Sequence, residues 1–346
     1  MRAAVIRFRE GRKILRTEEV PEPVCGPGEV VVHVAAAGIC GSDLHGFLDH
    51  GGTSRGEGLI MGHEGAGTVV AVGRDAGTVA VGDRVTVDPQ VVCGRCLPCE
   101  RGWISICDHK KVTGSSLRGF VQGMMAERIA VAASQVHPLP DAVPFDQGAV
   151  IEPLANALHV VRRSPIGAGS AVMVLGCGPL GLCLVQAARM AGAGRIVATD
   201  LSPARRAMAA RLGADAVLDP RAEDPRAAAL EHTDGAGMDV VIESVGIDET
   251  YGQAIGAVRK RGTVMFFGAI RRTVTLELLP ILHREITMIG CTGANEETSE
   301  AVRLVAEGKV DVASLVTHRF PLDEAQAAFD TMRTDTEGAI KVQIAP

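Results

Sequence analysis

Two short segments near the start of the chain bring together side chains that bind metals. Residues 40–45 read Cys-Gly-Ser-Asp-Leu-His, and residues 62–64 read Gly-His-Glu. A catalytic zinc ion takes three protein ligands of this kind and keeps one position open for water or substrate. Cys40 alone would be interpreted as a buried cysteine, and His63 alone as a hydrogen-bonded core histidine. Their joint presence, each beside a glycine, instead predicts that Cys40 and His63 are the first two ligands of an open zinc site.

A second cluster consists of four cysteines within fifteen residues, Cys93, Cys96, Cys99 and Cys107. Four thiolates complete a tetrahedral shell and leave no exchangeable position, so a zinc ion bound here would be structural. The alternative, four free or oxidised thiols, would leave reactive cysteines on a polar loop. A disulfide framework is typical of small secreted domains, whereas a tight cluster in a long chain favours metal. The sequence therefore predicts one structural zinc ion in addition to the open site.

A glycine-rich segment at residues 176–181, Gly-Cys-Gly-Pro-Leu-Gly, has the spacing of a dinucleotide-binding turn. It directly follows an apolar run and opens a helical stretch, which is the context that makes this spacing specific. Gly176 would form the turn, Gly178 would let the backbone approach a pyrophosphate, and Gly181 would let the helix pack on the strand. The positive end of the helix that starts at Pro179 and Leu180 would attract the phosphates.

Asp200 lies nineteen residues after Gly181, at the end of the next predicted strand. A carboxylate at this place accepts hydrogen bonds from the adenosine ribose and repels a 2′-phosphate, so NAD is the expected cofactor. A helix cap is the alternative interpretation of Asp200, and Ser202 could fill that role itself. Arg205 fits a second ribose contact or the solvated face of a helix equally well.

The elements that must position these groups differ between the two halves of the chain. The first 150 residues or so favour short strands bounded by glycine or proline. From about residue 165, all-apolar strands alternate with helical stretches, which predicts an α/β doubly wound parallel sheet. Two amphipathic segments follow in the last fifty residues. The predicted strands are 30–34, 67–73, 83–87, 171–175, 195–199, 238–243, 262–267 and 286–289; the predicted helices are 180–191 and 203–212, and the two amphipathic segments are 297–307 and 322–333.

Composition excludes several other classes of protein. The 346 residues are 47% hydrophobic and carry a formal net charge of −6, which fits a globular chain with real cores and not a nucleic-acid-binding surface. No apolar stretch is long enough to span a bilayer, and the first residues do not form a signal peptide. We therefore expect a cytoplasmic protein that binds neither nucleic acid nor membranes.

Taken in order, these motifs resemble the zinc-containing medium-chain alcohol dehydrogenases, most closely the polyol (sorbitol), threonine and butanediol branch. The resemblance runs nearly end to end and includes Glu-Pro-Leu-Ala at 152–155. It implies a GroES-like catalytic domain at 1–155 and 296–346, with the structural zinc loop at 93–107, and a Rossmann domain at 156–295. It also implies two zinc ions and NAD per chain, a small-molecule alcohol substrate, and a homo-oligomer, either dimer or tetramer.

The resemblance further implies the roles of the residues near the open zinc site. Glu152 stands where other alcohol dehydrogenases have a third cysteine ligand, so Glu64 and Glu152 are alternative third ligands. Asp43 would fix the ring of His63. Zinc polarises the substrate hydroxyl and hydride passes to the nicotinamide, while Ser42 passes the proton on to His45.

Residues near the rest of the cofactor follow from the same resemblance. Val245 would flank the adenine. Lys341 would approach the pyrophosphate or stay solvated. The backbone at the ends of two Rossmann strands would meet the nicotinamide half, through Phe267, Gly268, Ala269, Cys291 and Thr292.

The predicted function is oxidation of a secondary alcohol, namely a polyol, a vicinal diol or a hydroxy-amino compound. Two departures argue against sorbitol itself, because Gly46 and Gly293 stand where sorbitol dehydrogenases have a tyrosine and an arginine. Alternatives are a dehydrogenase of simple primary or aromatic alcohols and a non-catalytic, zinc-stabilised dinucleotide-binding protein. A metal-free quinone reductase is disfavoured because Cys40, His63 and Glu64 are all present.

Overall fold

The computed structural model describes residues 1–50, 55–270, 273–335 and 338–346. Within these ranges the chain divides into two compact units. The first contains Met1–Ala155, Ala294–Asp335 and Ala339–Pro346, and the second contains Asn156–Gly293. None of the helices in the described ranges combines the length and apolar character that a bilayer crossing requires.

The strands lie in four sheets across the two units. In chain order they are β1 (Arg2–Arg9), β2 (Arg12–Glu19), β3 (Glu29–Gly38), β4 (Glu64–Val72), β5 (Arg84–Val87), β6 (Gln90–Val91), β7 (Lys111–Val112), β8 (Arg128–Ala132), β9 (Val136–Pro138), β10 (Ala171–Leu175), β11 (Arg195–Thr199), β12 (Ala216–Leu218), β13 (Met238–Glu243), β14 (Val258–Phe266), β15 (Thr287–Gly290), β16 (Val316–Pro321) and β17 (Lys341–Ala345).

Among the described residues each unit has five helices, and α4 (Ile151–Arg163) runs across the boundary between the two units. In chain order they are α1 (Gly41–Phe47), α2 (Leu97–Glu100), α3 (Phe145–Gly148), α4 (Ile151–Arg163), α5 (Pro179–Met190), α6 (Pro203–Arg211), α7 (Pro225–Glu231), α8 (Asp248–Ala257), α9 (Leu278–His283), α10 (Glu297–Ala306) and α11 (Ala325–Thr334), with short 3₁₀ turns at Ile104–Ile106, Ala133–Gln135, Ala313–Leu315 and Leu322–Glu324.

The second unit is built on a six-stranded parallel sheet in the order β12-β11-β10-β13-β14-β15. This order reverses direction between β10 and β13, as in the doubly wound dinucleotide-binding fold. Met173 and Leu175 of β10 are fully buried together with Val197, Val241 and Val264 from the neighbouring strands. The sequence of β10 is all apolar because the strand lies in the middle of the sheet and is buried. The predicted doubly wound parallel sheet is confirmed.

The first unit contains a seven-stranded sheet in which β3 is central. β3 pairs with β4 along most of its length, with β8 over its first half and with β17 near its end, always antiparallel. β17 also pairs in parallel with β16, so the end of the chain completes a sheet that begins with β3. The amphipathic segment at 322–333 starts with a 3₁₀ turn, after which α11 packs Phe329 into the core of this unit.

Candidate zinc and cofactor sites

The pairing of β3 with β4 brings the two predicted metal-binding segments together. Gly38, the last residue of β3, lies opposite Glu64, the first residue of β4. Cys40 follows β3 and precedes α1, and His63 precedes β4, so both stand at the same end of the sheet. Ligand atoms of Cys40, His63 and Glu64 all lie within 4.8 Å of one another. A thiol, an imidazole and a carboxylate in this arrangement fit a zinc ion and leave a fourth position for substrate.

Asp43 orients the imidazole of His63. His63 Nδ1 lies 3.2 Å from Asp43 Oδ1, and the backbone N–H of Cys40 donates to Asp43 Oδ2 at 3.2 Å. Burial opposes the charged form of Asp43, but the neighbouring His63 and Arg55 outweigh it and lower the pKa of this carboxyl. Because Nδ1 faces a carboxylate, Nε2 of His63 is the nitrogen available to a metal, as metal-bound histidines generally require.

Glu64 forms a buried ion pair with Lys341. Both side chains are 1% exposed, and Lys341 Nζ donates to Glu64 Oε2 and, at 3.2 Å, to the backbone oxygen of Ile39. Burial alone would lower the pKa of Lys341, but the Glu64 carboxylate raises it. The second carboxylate oxygen, Oε1, is buried without a hydrogen-bond partner, which leaves it available to a cation. Lys341 is therefore not solvated as one expectation had it, and its ammonium is already engaged by Glu64.

Glu152, the other candidate third ligand, lies in the first turn of α4 and is half-buried. Its carboxylate is not among the ligand atoms that lie within 4.8 Å of one another around Cys40. Its charge nevertheless contributes to the pKa of Lys341. The choice between Glu64 and Glu152 stays a prediction, with Glu64 the nearer group.

The two residues of the predicted proton path lie on α1. Ser42 is exposed, and His45 is half-buried with an Nδ1 atom that has no hydrogen-bond partner. The rings of His45 and His50 are 5.9 Å apart between centroids. Burial, and to a lesser degree the charge of His50, lowers the pKa of His45. A neutral imidazole at this position has a free nitrogen with which to accept a proton.

The four cysteines of the loop converge as predicted. Sγ of Cys96 lies 3.4 Å from Sγ of Cys99 and 3.7 Å from Sγ of Cys107, which in turn lies 3.6 Å from Sγ of Cys93. Sulfurs on a tetrahedral zinc ion with bonds of about 2.3 Å stand ~3.8 Å apart. None of the nine cysteines, all within the described ranges, forms a disulfide. The spacing therefore fits a closed, structural zinc shell.

The glycine-rich turn joins β10 to α5 in the second unit. Gly176 has φ +93°, a conformation that only glycine adopts without strain, and a Cβ on Gly181 would collide with the backbone oxygen of Gly176. A Cβ on Gly178 would meet nothing within 4 Å, so the space in front of this residue is open. The three glycines thus occupy the positions that a tight turn, an approaching phosphate and a closely packed helix require.

Asp200 follows β11 and lies beside this turn. Its Oδ2 accepts from the backbone N–H of Cys177 at 2.8 Å, and its Oδ1 accepts from that of Ser202 at 2.8 Å. Ser202 is the N-cap of α6, because its hydroxyl accepts from the N–H of Arg205. The capping role therefore belongs to Ser202, and Asp200 is held at the mouth of the turn, where a ribose reader belongs.

Two further turns of the second unit are tied together by Glu243, the last residue of β13. Its Oε1 accepts from the N–H groups of Val245 and Gly246 at 2.8 and 2.7 Å, and its backbone oxygen accepts from those of Phe267 and Gly268 at 3.0 and 3.1 Å. Burial raises the pKa of Glu243. The structure thus brings together two of the turns assigned to the cofactor. Cys291 and Thr292, the third segment assigned to the cofactor, directly follow β15, and their contact with the cofactor stays a prediction.

Sequence analysis missed two charged side chains that these sites use, Arg55 and Glu243, and it did not foresee the pairing of a third, Lys341, with Glu64. Each is buried, and each acts on groups that are distant in sequence or on backbone N–H groups. A charged residue inside an otherwise apolar strand, as Glu243 is at the end of Met-Asp-Val-Val-Ile-Glu, was the available signal for one of them.

Comparison with known proteins agrees with this geometry. Residues 26–141 match the alcohol dehydrogenase GroES-like domain, and residues 179–307 match the zinc-binding dehydrogenase family. The first match contains Cys40, His63, Glu64 and the four-cysteine loop, and the second begins within the glycine-rich turn and contains Asp200.

Similar proteins span nearly the whole chain. L-threonine 3-dehydrogenase of Pyrococcus furiosus is 35% identical over 93% of this chain and 92% of its own length. Sorbitol dehydrogenase of Bacillus subtilis is 32% identical over 100% of this chain and 97% of its own. A zinc-binding dehydrogenase from Sinorhizobium meliloti, solved with bound NADP, superposes with a TM-score of 0.87 at 34% identity, covering 100% of this chain and 99% of that one. The chain belongs to the zinc-containing medium-chain alcohol dehydrogenase family, in its polyol and threonine branch, whose cofactors are zinc and a nicotinamide dinucleotide.

Proposed function

We propose that this chain oxidises a secondary alcohol (a polyol, a vicinal diol or a hydroxy-amino compound) with NAD as hydride acceptor. The observation that carries the proposal is the convergence of Cys40, His63 and Glu64 in a chain that also contains a dinucleotide-binding unit. When bound, zinc would polarise the substrate hydroxyl and the nicotinamide would accept the hydride. We assign the catalytic domain to residues 1–155 and 296–346 and the NAD-binding domain to residues 156–295.

The chain's own residues supply ligands, orientation and a proton path. Cys40 and His63 hold the metal, with Glu64 or Glu152 as the third ligand, and Asp43 fixes the ring of His63. The exposed hydroxyl of Ser42 passes the alcohol proton on, and the lowered pKa of His45 leaves its ring neutral and able to accept it.

Asp200 supports NAD rather than NADP. Its carboxylate is fixed by two backbone N–H groups, so it cannot swing away from a 2′-phosphate, and the repulsion would be poorly screened in a partly dry pocket. The Sinorhizobium meliloti relative carries NADP, which makes the preference of this chain worth measuring directly.

We further propose that the protein is a cytoplasmic homodimer or homotetramer. β15 is one of the two edge strands in the second unit's described sheet, and Leu278, Leu279 and Leu282 on the preceding helix α9 are each more than half exposed. An open strand edge and an exposed apolar helix surface each favour pairing with a second copy of the chain. Light scattering after size exclusion tests this, with Leu279→Glu expected to shift the mass towards the monomer.

A panel of purified alcohols tests the proposed reaction, with formation of reduced nicotinamide as the measurement. Polyols, vicinal diols and hydroxy-amino compounds should give kcat/KM values well above those of ethanol and benzyl alcohol. Higher values for the simple primary or aromatic alcohols would replace the proposed substrate class. Bound zinc close to two ions per chain is the accompanying expectation, whereas one ion would contradict a catalytic metal.

A further inference from the structure

Arg55 is a buried arginine that no step of the proposed reaction uses. It is 5% exposed, and its Nη1 donates to the hydroxyl of Ser115 at 3.2 Å. Its Nη2 lies 3.9 Å from Oδ1 of Asp43, and its Nε is buried without a hydrogen-bond partner. Such burial of a permanent charge is costly unless the charge serves a nearby opposite one.

The opposite charge near Arg55 is the carboxylate that orients His63. Asp43 is 0% exposed and has two further contacts, the ring of His63 and the backbone N–H of Cys40. Neither of these carries a permanent positive charge, whereas the guanidinium of Arg55 does. Arg55 and His63 approach the same oxygen, Oδ1, so a movement of Arg55 changes the field at the oxygen that receives the imidazole.

The chain makes room for Arg55 by placing a glycine in α1. A Cβ on Gly46 would lie 2.8 Å from Cγ of Arg55 and 3.1 Å from its Nε, so the side chain of Arg55 would have to shift to admit it. The backbone N–H of Arg55 also donates to the oxygen of Gly46 at 3.1 Å. Gly46 is the position where the sorbitol dehydrogenases are expected to carry a tyrosine, so in this chain Arg55 fills the space that such a side chain would need.

We propose that Arg55 is a positioning residue for the open zinc site, which fixes Asp43 and, through it, the ring of His63. The proposal rests on the assignment of a zinc ion to Cys40 and His63. It also explains the glycine at position 46, because the absence of a side chain there lets the guanidinium of Arg55 approach Asp43.

The test measures metal binding rather than turnover. Arg55→Met keeps the bulk of the side chain but removes the charge, and Arg55→Lys keeps the charge but not the planar fork. Loss of a group that supports a metal ligand typically costs about 10–100-fold in metal affinity. We expect Arg55→Met to lose the weaker-held zinc at a correspondingly lower chelator concentration, and to shift the visible absorption bands of the cobalt-substituted enzyme. Arg55→Lys should recover part of both, while the zinc of the four-cysteine loop stays bound in every variant as an internal reference.

A glycine pair provides a matched control. Gly46→Ala should displace Arg55 and weaken metal binding as Arg55→Met does, although alanine normally stabilises a helix relative to glycine. Gly252→Ala in α8 introduces the same methyl group where nothing lies within 4 Å, and should leave metal binding unchanged. Thermal melting of all variants separates misfolding from loss of metal. If Arg55→Met does not fold, the two single variants Gly46→Ala and Arg55→Lys still test the proposal.

Three outcomes would overturn the proposal. One is a folded Arg55→Met protein with unchanged zinc retention and an unchanged cobalt spectrum. Another is an Arg55→Met protein that retains zinc normally but has a higher KM only for alcohols that bear a carboxylate. That result would mean that Arg55 contacts the substrate. The last is a Gly46→Ala protein that retains zinc as firmly as the parent. A Cys40→Ser variant measured alongside distinguishes failure of the zinc assignment itself, since it must lose the same zinc ion.

Discussion

The two metal-binding clusters of the first unit are built in opposite ways. The four-cysteine loop takes all its ligands from residues 93–107, and its sulfurs lie 3.4 to 3.7 Å from one another along the loop. The cluster around Cys40 takes its ligands from the end of β3 and the start of β4. It is surrounded by buried charged residues, namely Asp43, Arg55 and Lys341. A closed shell of four identical ligands holds a metal by itself, whereas an open shell needs a surrounding structure to keep its ligands in place.

The largest expected effect is on catalysis when the open cluster loses its thiol. Cys40→Ala should lower kcat/KM by about 1,000-fold or more, because without the metal nothing polarises the substrate hydroxyl. The protein should stay folded and retain about half of its zinc, since a catalytic metal adds less to folding than a structural one. Kinetic assays with zinc analysis by mass spectrometry measure both. Substantial residual activity would contradict the metal-dependent mechanism.

The matching change in the closed cluster should act on stability first. Cys96→Ala breaks the four-sulfur shell, and structural zinc contributes directly to the free energy of folding. We expect soluble yield and melting temperature to fall, by the equivalent of several kcal/mol, while any folded fraction keeps a catalytic metal. Melting curves with and without a zinc chelator check this. If the chelator lowered the melting temperature of Cys96→Ala as much as that of the parent, the loop would not be the structural site.

The next largest effect should be on the free energy of unfolding, when the buried pair of Lys341 and Glu64 at the open cluster is broken. Lys341→Met leaves the carboxylate of Glu64 buried without its cation, and breaking a buried pair from one side costs about 3–5 kcal/mol. Urea unfolding measures the change. Lys309→Met is a matched control, because its partner Glu307 lies 2.8 Å away at the surface, where such pairs contribute about 0–1 kcal/mol. Equal effects of the two substitutions would mean that the Glu64 pair contributes no more than a surface one.

The smallest expected effect concerns the second unit. The kcat/KM with NAD should exceed that with NADP by about tenfold or more. Asp200→Ser should lower this ratio, because it relieves the repulsion of the 2′-phosphate, which contributes about 1–3 kcal/mol. Parallel kinetics with both cofactors check it. An unchanged ratio in Asp200→Ser would exclude Asp200 as the ribose reader.

The parts that could be predicted from sequence are those whose function is local. The turn at Gly176 and the loop at 93–107 place all their groups within a few residues, so spacing alone specifies the geometry. The β-rich first unit was predicted only in outline. The hairpin of β1 and β2 was missed although it is local, because residues 3–6 of β1 are buried in succession and the strand lacks the alternation typical of a half-exposed strand.

The charged partners of the open cluster lay beyond sequence reasoning for a related reason. Lys341 and Glu64 are 277 residues apart, and only the register of β17 and β4 on the two sides of β3 brings them together. Arg55 reaches Asp43 through the space beside Gly46, and only the folded structure shows that a side chain at this position would meet Arg55.

The position of β17 has a consequence for the order in which the protein is made. The ribosome releases the strands around Glu64 early, but Lys341 emerges only after the entire second unit, so Glu64 lacks its cation for most of synthesis. The second unit, whose sheet is formed from one continuous stretch of chain, has all its strands available first. The usual expectation that the N-terminal domain folds first is therefore reversed here: the nucleotide-binding half can be complete while the metal-binding half still waits for its last strand.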